Sequence, residues 1–383
     1  MGPPLRSTVA DVDLDAIVHN MHAVAAHGEQ VIAVVKADAY GHGYEAVGRT
    51  LVDEGAAMLA VFTVDEGALL RRSGIEAPIL VLGGITEPAE TEIVVGAGLT
   101  VTVWDLDRAR MLSAAAGTTA RVHVKVDTGL MRLGVPLEAA VERIKRIREL
   151  PNLAVDGVFT HFATADEEND SFAVEQVRRF ESVLSALDER PALVHAAASA
   201  GAVAVDTRHI CNAVRPGLAL YGLHPAPHLA TIDLRPALEW RSRVHRVARG
   251  RAGTGVSYGH EYRLPRDGRI ATVPVGYGDG LPRSAGRHAR VLVRGRALPI
   301  AGRVAMDLIM LDVTDVPEVR EGDEVVLIGE QAGARRSAED LADACGTINY
   351  EVVTNIRTRV ARRYHRGGRV VATRTLTDGI RWL

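Results

Sequence analysis

Two cysteines in 383 residues, Cys211 and Cys345, are too few for a disulfide framework, and their spacing matches no metal-ligand pattern. A reducing, cytoplasmic setting is the expectation. The opening stretch MGPPLRSTVADVDLD lacks an apolar signal core, and no apolar run is long enough to span a bilayer. Neither sign of charge dominates: 45 Lys and Arg stand against 48 Asp and Glu, a net charge of −3. That balance gives no bulk field to recruit nucleic acid or an anionic membrane. One basic cluster stands out, RTRVARRYHRGGR over 357–369. Its interleaved apolar residues mark it as a solvated edge or interface. Low-complexity linkers are missing as well. What remains is a chain that is 47% apolar, enough for a sizeable core. At this length two domains are expected, one of which could be an α/β barrel of about 250 residues.

The most informative stretch is VIAVVKADAYGHGY, 31–44. Val31, Ile32, Val34 and Val35 form a run without polar alternation, the mark of a strand buried on both faces. It stops at Lys36. An ammonium at the end of a buried strand is costly unless it is paired or chemically used. A desolvated lysine loses its proton more readily and can hold an aldehyde as a Schiff base. The AYGHG turn that follows lets backbone approach a ligand closely.

Seven further short runs follow at 57–62, 78–82, 99–104, 121–127, 155–161, 193–197 and 213–221. Segments with helical spacing lie between them, at 65–72, 106–116, 136–150 and 171–190. Strand and helix alternating eight times predict a closed (β/α)8 barrel. Polar groups after the strands should then converge on one mouth: Lys36, Tyr40, Asp127, Arg132, His161, Ser199 and Arg215. After residue 228 the pattern changes to closely spaced β runs separated by Gly, Pro and Asp turns, with a helix at 337–344 capped by Ser337. The segment 351–371 is expected to return to the sheet, and Thr8–Asp11 to add a strand to either domain. The fold class is therefore α/β, a barrel over 10–228 followed by a mostly β C-terminal domain over 229–383 together with residues 1–9.

Along the chain the motifs AVVKADAYGHG, KVDTGLMRLG, THFATAD, ASAG, VRPGLALYG, GVSYG, VGYGDGLPR, GRVAMD and INYE occur in an order that resembles the alanine racemases, and they cover almost the whole sequence. The resemblance implies a pyridoxal 5′-phosphate (PLP) enzyme that interconverts L- and D-alanine for peptidoglycan. It implies that Lys36 holds the cofactor as a Schiff base and then serves as base on one face of Cα, with Tyr258 as the base on the other. Two opposed groups are needed because one base would return the proton to the face it came from. An unperturbed tyrosine titrates near pH 10. The resemblance supplies help for it through a chain from Tyr258 to His161 to Arg215, with Arg215 also facing the pyridine nitrogen.

By the same resemblance Tyr40, Leu82, His161, Ser199, Arg215, Gly217, Leu218 and Tyr350 contact the cofactor. Arg132, Met306, Asp307 and Tyr277 bind substrate, Arg283 lines the entrance, and Lys125 matches a lysine that many members carbamylate. No metal is implied. The implied assembly is a homodimer in which Tyr258, Tyr277, Met306 and Asp307 reach the site from the second subunit; no nucleic acid or membrane partner is implied. Three positions depart from the pattern: Ala198 where asparagine is usual, Ala305 where many members have cysteine, and Met131, bulkier than the usual residue. They bear on substrate breadth, so a serine racemase or one of broader specificity is the alternative. A PLP-barrel decarboxylase is disfavoured by Arg215 and the Tyr258 motif, and a PLP carrier by the second domain.

Overall fold

The computed structural model describes residues 6–26, 30–286 and 288–383. The chain forms two compact units. One comprises Ala16–Ala39 and Tyr44–Arg235; the other comprises Met1–Asp15, Tyr40–Gly43 and Pro236–Leu383.

The first unit is a closed barrel of eight parallel strands: β1 (Gln30–Val34), β2 (Met58–Val61), β3 (Ile79–Val81), β4 (Thr100–Val103), β5 (Ala120–Asp127), β6 (Leu153–Phe159), β7 (Leu193–Ala198) and β8 (Ala213–Arg215). Each strand pairs with the next, and β8 pairs with β1 to close the ring. Every residue of β2, β3 and β4 is buried, as a strand covered on both sides requires. Helices follow the strands. Val64–Arg72 begins at Thr63, whose side chain and that of Glu66 make reciprocal caps, and Leu106–Ala115 begins at Asp105, which accepts the Arg108 N–H. Ser171–Ser185 buries Val177, Phe180 and Val183 along one stripe.

Two segments are shorter than their patterns. Residues 136–150 open with a 3-10 turn, Leu137–Ala139, before the α-helix Ala140–Arg148. The run 213–221 is strand only as far as Arg215. Pro216 has no N–H to continue a ladder, and the chain turns into the 3-10 element Leu218–Tyr221, ended by Gly222 at φ +77°.

The second unit is built on one large sheet. Its spatial order is Arg296–Pro299, Arg290–Val293, Glu324–Gln331, Leu238–Arg243, Val9–Asp13, Ala361–Arg366, Arg369–Thr375 and Gly379–Trp382. All neighbours are antiparallel except Val9–Asp13 with Ala361–Arg366. A separate three-stranded sheet comprises Arg246–Gly250, Gly268–Val273 and Ile309–Asp312. The Ser337 cap forms, with Asp340 returning the capping bond.

Two expectations for this unit are corrected. The segment 351–371 does not run straight into the sheet, because Asn349–Thr354 is a helix first and strand resumes at Ala361. Its buried residues, Asn349, Val352 and Val353, follow helical spacing, which the β-branched pair disguised. Within the basic cluster 357–369, expected as a solvated edge or interface, Arg362 departs from that reading. Arg362 is fully buried in a central strand, and its guanidinium donates to the carbonyls of Gly41, Ile356, Arg357 and Val360. An arginine tolerates burial when its N–H groups all find acceptors.

Candidate active site

Strand β1 delivers Lys36 to the carboxyl end of the barrel, and the chain then does something unusual for residues that are not glycine. Ala37, Asp38, Ala39 and Tyr40 all lie at φ between +52° and +57°, one turn of left-handed coil. For L-residues this costs roughly 1–2 kcal/mol per residue, so neighbours must hold it. Glu66 is the chief clasp. Its carboxylate accepts the N–H of Ala37 at 2.7 Å, of Phe62 at 2.8 Å and of Thr63 at 3.2 Å. Asp38 accepts the Tyr44 N–H at 3.1 Å on the far side. The side chain of Lys36 lies 5.9 Å over the Phe62 ring. Burial, then the Arg132 charge, lower its pKa, with Glu66 opposing.

The other barrel residues converge on the same end. Alternation along β5 puts His123 and Lys125 on one face and Val122, Val124 and Val126 on the other. Lys125 is 5% exposed; burial, then Arg132 and Arg215, bring its pKa down to about 8. His161 follows β6. Its pKa falls well below the usual histidine value, through burial first and then the charges of Arg215, Arg132, Lys125 and Lys36. Its neutral form is favoured, with the buried Arg215 guanidinium beside it.

Arg215, at the end of β8, is buried as well. One of its terminal nitrogens donates to Thr160 O at 2.8 Å and Ala196 O at 2.9 Å, and meets His161 Nδ1 at 3.2 Å. The other donates to His195 Nδ1 at 2.7 Å. Ser199, after β7, accepts the N–H groups of Gly217 and Ala219 with its Oγ, at 3.0 and 3.1 Å. This contact packs the Ser199 and Gly217–Leu218 segments together. Leu82 follows β3, its N–H donating to Val61 O. Arg132 is exposed beyond β5, and Met131 before it is 91% exposed at φ +53°.

The second unit gathers the remaining residues. Tyr40 is buried with its ring 6.4 Å from that of Tyr350, and burial, then Tyr350, raise its pKa, so its hydroxyl stays protonated. Elsewhere in this unit three loops lie side by side. Ser257 Oγ donates to Arg303 O at 2.8 Å, joining the Tyr258 loop to GRVAMD. The Tyr277 N–H donates to Ala305 O and the Gly278 N–H to Met306 O, joining VGYGDG to the same motif. Buried Asp279 anchors the set through Arg6 and Arg359, and Arg359 also pairs with Asp307 at 2.6 Å. Burial raises the Asp279 carboxyl, but the bonds from Arg6, Arg359 and the Gly276 N–H outweigh it and hold its pKa below the ordinary range. Tyr258 is 70%, Met306 53% and Tyr277 40% exposed. Arg283 lies in the same unit.

Several residues around the site escape sequence reasoning. Glu66 reads as a helix cap and is that, but it also clasps the Lys36 turn. His195 is the one polar position in an otherwise apolar strand, which was the available signal; His123 shares its strand with Arg121, Lys125 and Asp127. Phe159 forms a plate touched by three groups: Arg215 at 5.0 Å, Lys125 at 5.9 Å and the stacked His195 ring at 4.7 Å. Among the described residues no helix is long and apolar enough to cross a membrane, and no cluster of His, Cys, Asp or Glu could hold a metal ion.

Comparison with known proteins adds to this geometry. The family model described as alanine racemase, N-terminal domain, matches residues 12–225, and that of the C-terminal domain matches 237–364. The chain is 43% identical to the alanine racemase of Halothermothrix orenii, covering 94% of this chain and 97% of the relative. It is 44% identical to that of Desulfosudis oleivorans, with the same coverage. Among solved structures, the Bacillus anthracis alanine racemase with bound L-Ala-P superimposes with a TM-score of 0.91 at 37% identity, covering 98% of this chain and 99% of that one. The Clostridium difficile alanine racemase gives 0.92 at 34% identity, covering 98% and 100%. With both domain models matched in order and relatives aligned from end to end, the chain belongs to the alanine racemase family, a family of isomerases.

Proposed function

We propose that the protein racemises alanine with PLP by a two-base mechanism, as a cytoplasmic homodimer that supplies D-alanine for peptidoglycan. The observation that carries the cofactor assignment is the cluster of basic side chains at the barrel mouth. Lys125 and Arg215 share the Phe159 ring, Arg215 meets His161, and Lys36 and Arg132 bear on the same histidine. The carboxylates that act on Lys36 and Lys125, Glu66 and Asp127, are each committed to three backbone N–H groups. A cluster of this composition suits anionic ligands. A phosphorylated aldehyde and an amino-acid carboxylate provide them, and a lysine with a lowered pKa provides the amine to hold the aldehyde.

When bound, PLP supplies the electron sink that stabilises the carbanion formed at Cα. The protein's residues do the rest. The Lys36 amine would hold the cofactor and would take or return the proton on one face of Cα. The Tyr258 hydroxyl does the same on the opposite face, contributed by the partner subunit. Arg215 can only donate, so the His161 nitrogen facing it accepts, and His161 keeps its proton on Nε2. That N–H is a donor for a tyrosine phenolate, which lowers the cost of using a phenol as base. Ser199, Gly217, Leu218, Tyr40 and Tyr350 are assigned to the phosphate, Leu82 to the cofactor ring and Arg215 to its pyridine nitrogen. Arg132, Met306, Asp307 and Tyr277 are assigned to substrate. At a pKa of about 8, an appreciable fraction of Lys125 is neutral amine at neutral pH. That fraction can combine with CO2 to give a carbamate and a released proton, and the anion would orient Arg132. Substrate breadth beyond alanine is the second reading, raised by the departures at Ala198, Ala305 and Met131.

The shared site is tested by mixing two inactive variants. Lys36→Ala and Tyr258→Phe each spoil every site of their own homodimer. A hybrid dimer retains one site with both bases, so an equal mixture unfolded and refolded together is expected to recover about one quarter of wild-type activity. Recovery of none would place both bases in one chain.

A further inference from the structure

Behind Arg215 lies a pair of imidazoles that the proposed reaction does not use. His195 Nδ1 sits 2.7 Å from one Arg215 nitrogen, and His195 Nε2 sits 2.8 Å from His123 Nδ1. Both histidines are fully buried in the barrel interior. The hydrogen arrangement is fixed by chemistry. A guanidinium only donates, so His195 Nδ1 accepts and its proton is on Nε2. That proton points at His123 Nδ1, which must accept in turn, leaving the His123 proton on Nε2. His123 Nε2 is buried without a hydrogen-bond partner.

As core filling this pair is a poor choice. Burying an N–H without an acceptor is unfavourable, and an aliphatic side chain would avoid that cost. The arrangement makes sense as a support. The second Arg215 nitrogen has two protons and three acceptors within 3.2 Å, so it cannot by itself fix the guanidinium plane. The His195 lone pair fixes it from the other nitrogen, and the stack of His195 on Phe159, under the same guanidinium, holds the imidazole.

We propose that His195, backed by His123, is a positioning residue for Arg215: it clamps the guanidinium in the one orientation that presents it to His161 and to the pocket. This inference rests on the role proposed above for Arg215. Both histidines are fully buried and neither is among the residues assigned to substrate, so the effect belongs in kcat.

The test has two arms. In 15N-histidine-labelled holoenzyme, long-range 1H–15N correlation spectra should show His195 and His123 as neutral Nε2–H tautomers, assigned by the signals lost in His195→Asn and His123→Asn. Kinetically, His195→Phe keeps the stack on Phe159 but removes the acceptor. It should lower kcat by about 10–100-fold, the usual scale for a supporting hydrogen bond behind an active group, with KM for alanine within a few-fold. His195→Asn, which returns an acceptor near the Nδ1 position, should recover most of that loss. Where His195→Phe does not fold, His123→Leu takes its place, and a fall in kcat without a rise in KM is expected again. An Nδ1–H or doubly protonated His195 overturns the proposal. So does a folded His195→Phe enzyme with wild-type kcat, or equal losses in the Phe and Asn variants. The spectra report on the pair whether or not the racemisation assignment holds, so the two failures are separable.

Discussion

Replacing Lys36 by alanine is expected to lower racemisation of either alanine enantiomer by at least about 10³-fold, within the range that loss of a positioned acid–base group produces. The substitution removes two things at once. One is the amine that holds the cofactor aldehyde; the other is the base on one face of Cα. The setting of Lys36 fits both tasks, because burial and the nearby Arg132 favour the uncharged amine. Polarimetry on each enantiomer gives the rate. Borohydride treatment gives an independent readout: the wild-type protein should become covalently labelled by cofactor at Lys36 and the variant should not. Full turnover in the variant would remove Lys36 from the mechanism.

Tyr258→Phe should cost a further distinct pattern. The side chain is mostly exposed in the single chain, so the stability of the subunit fold should change by no more than about 0.5 kcal/mol. Activity should fall by about 10²–10⁴-fold, the contribution of one acid–base group. The two enantiomers have equal free energy, so both directions of net racemisation must fall together. The asymmetry appears in solvent exchange. In D2O, the enantiomer whose Cα proton faces Lys36 should still take up deuterium with retention, whereas its mirror image should not. Equal, small effects on exchange from both enantiomers would take Tyr258 out of the role.

Much of this was legible in the sequence because parallel barrel strands are covered on both faces and read as unbroken apolar runs. All eight appear close to where their β-branched residues place them. The order of the C-terminal motifs was legible too, although nothing in GVSYG or VGYGDG reveals that their loops lie against GRVAMD. Other features were hidden for definite reasons. The left-handed turn after Lys36 contains no glycine between Ala37 and Tyr40, so nothing local announces it. The contact between His123 and His195 joins positions 72 residues apart. Arg362 looks like surface charge, since its four carbonyl acceptors exist only once the chain has folded.

The mirror-handed turn after Lys36 uncouples thermal robustness from catalytic competence at Ala37 and Ala39. Glycine at either would relieve backbone strain in the native form and widen the conformational freedom of the denatured form, two effects of opposite sign that largely offset, with any surplus stabilising. Melting temperature should hardly register such a change. Turnover should, because a slackened coil no longer dictates where the amine points. A screen for heat tolerance would pass these variants as silent, while an assay would find them impaired.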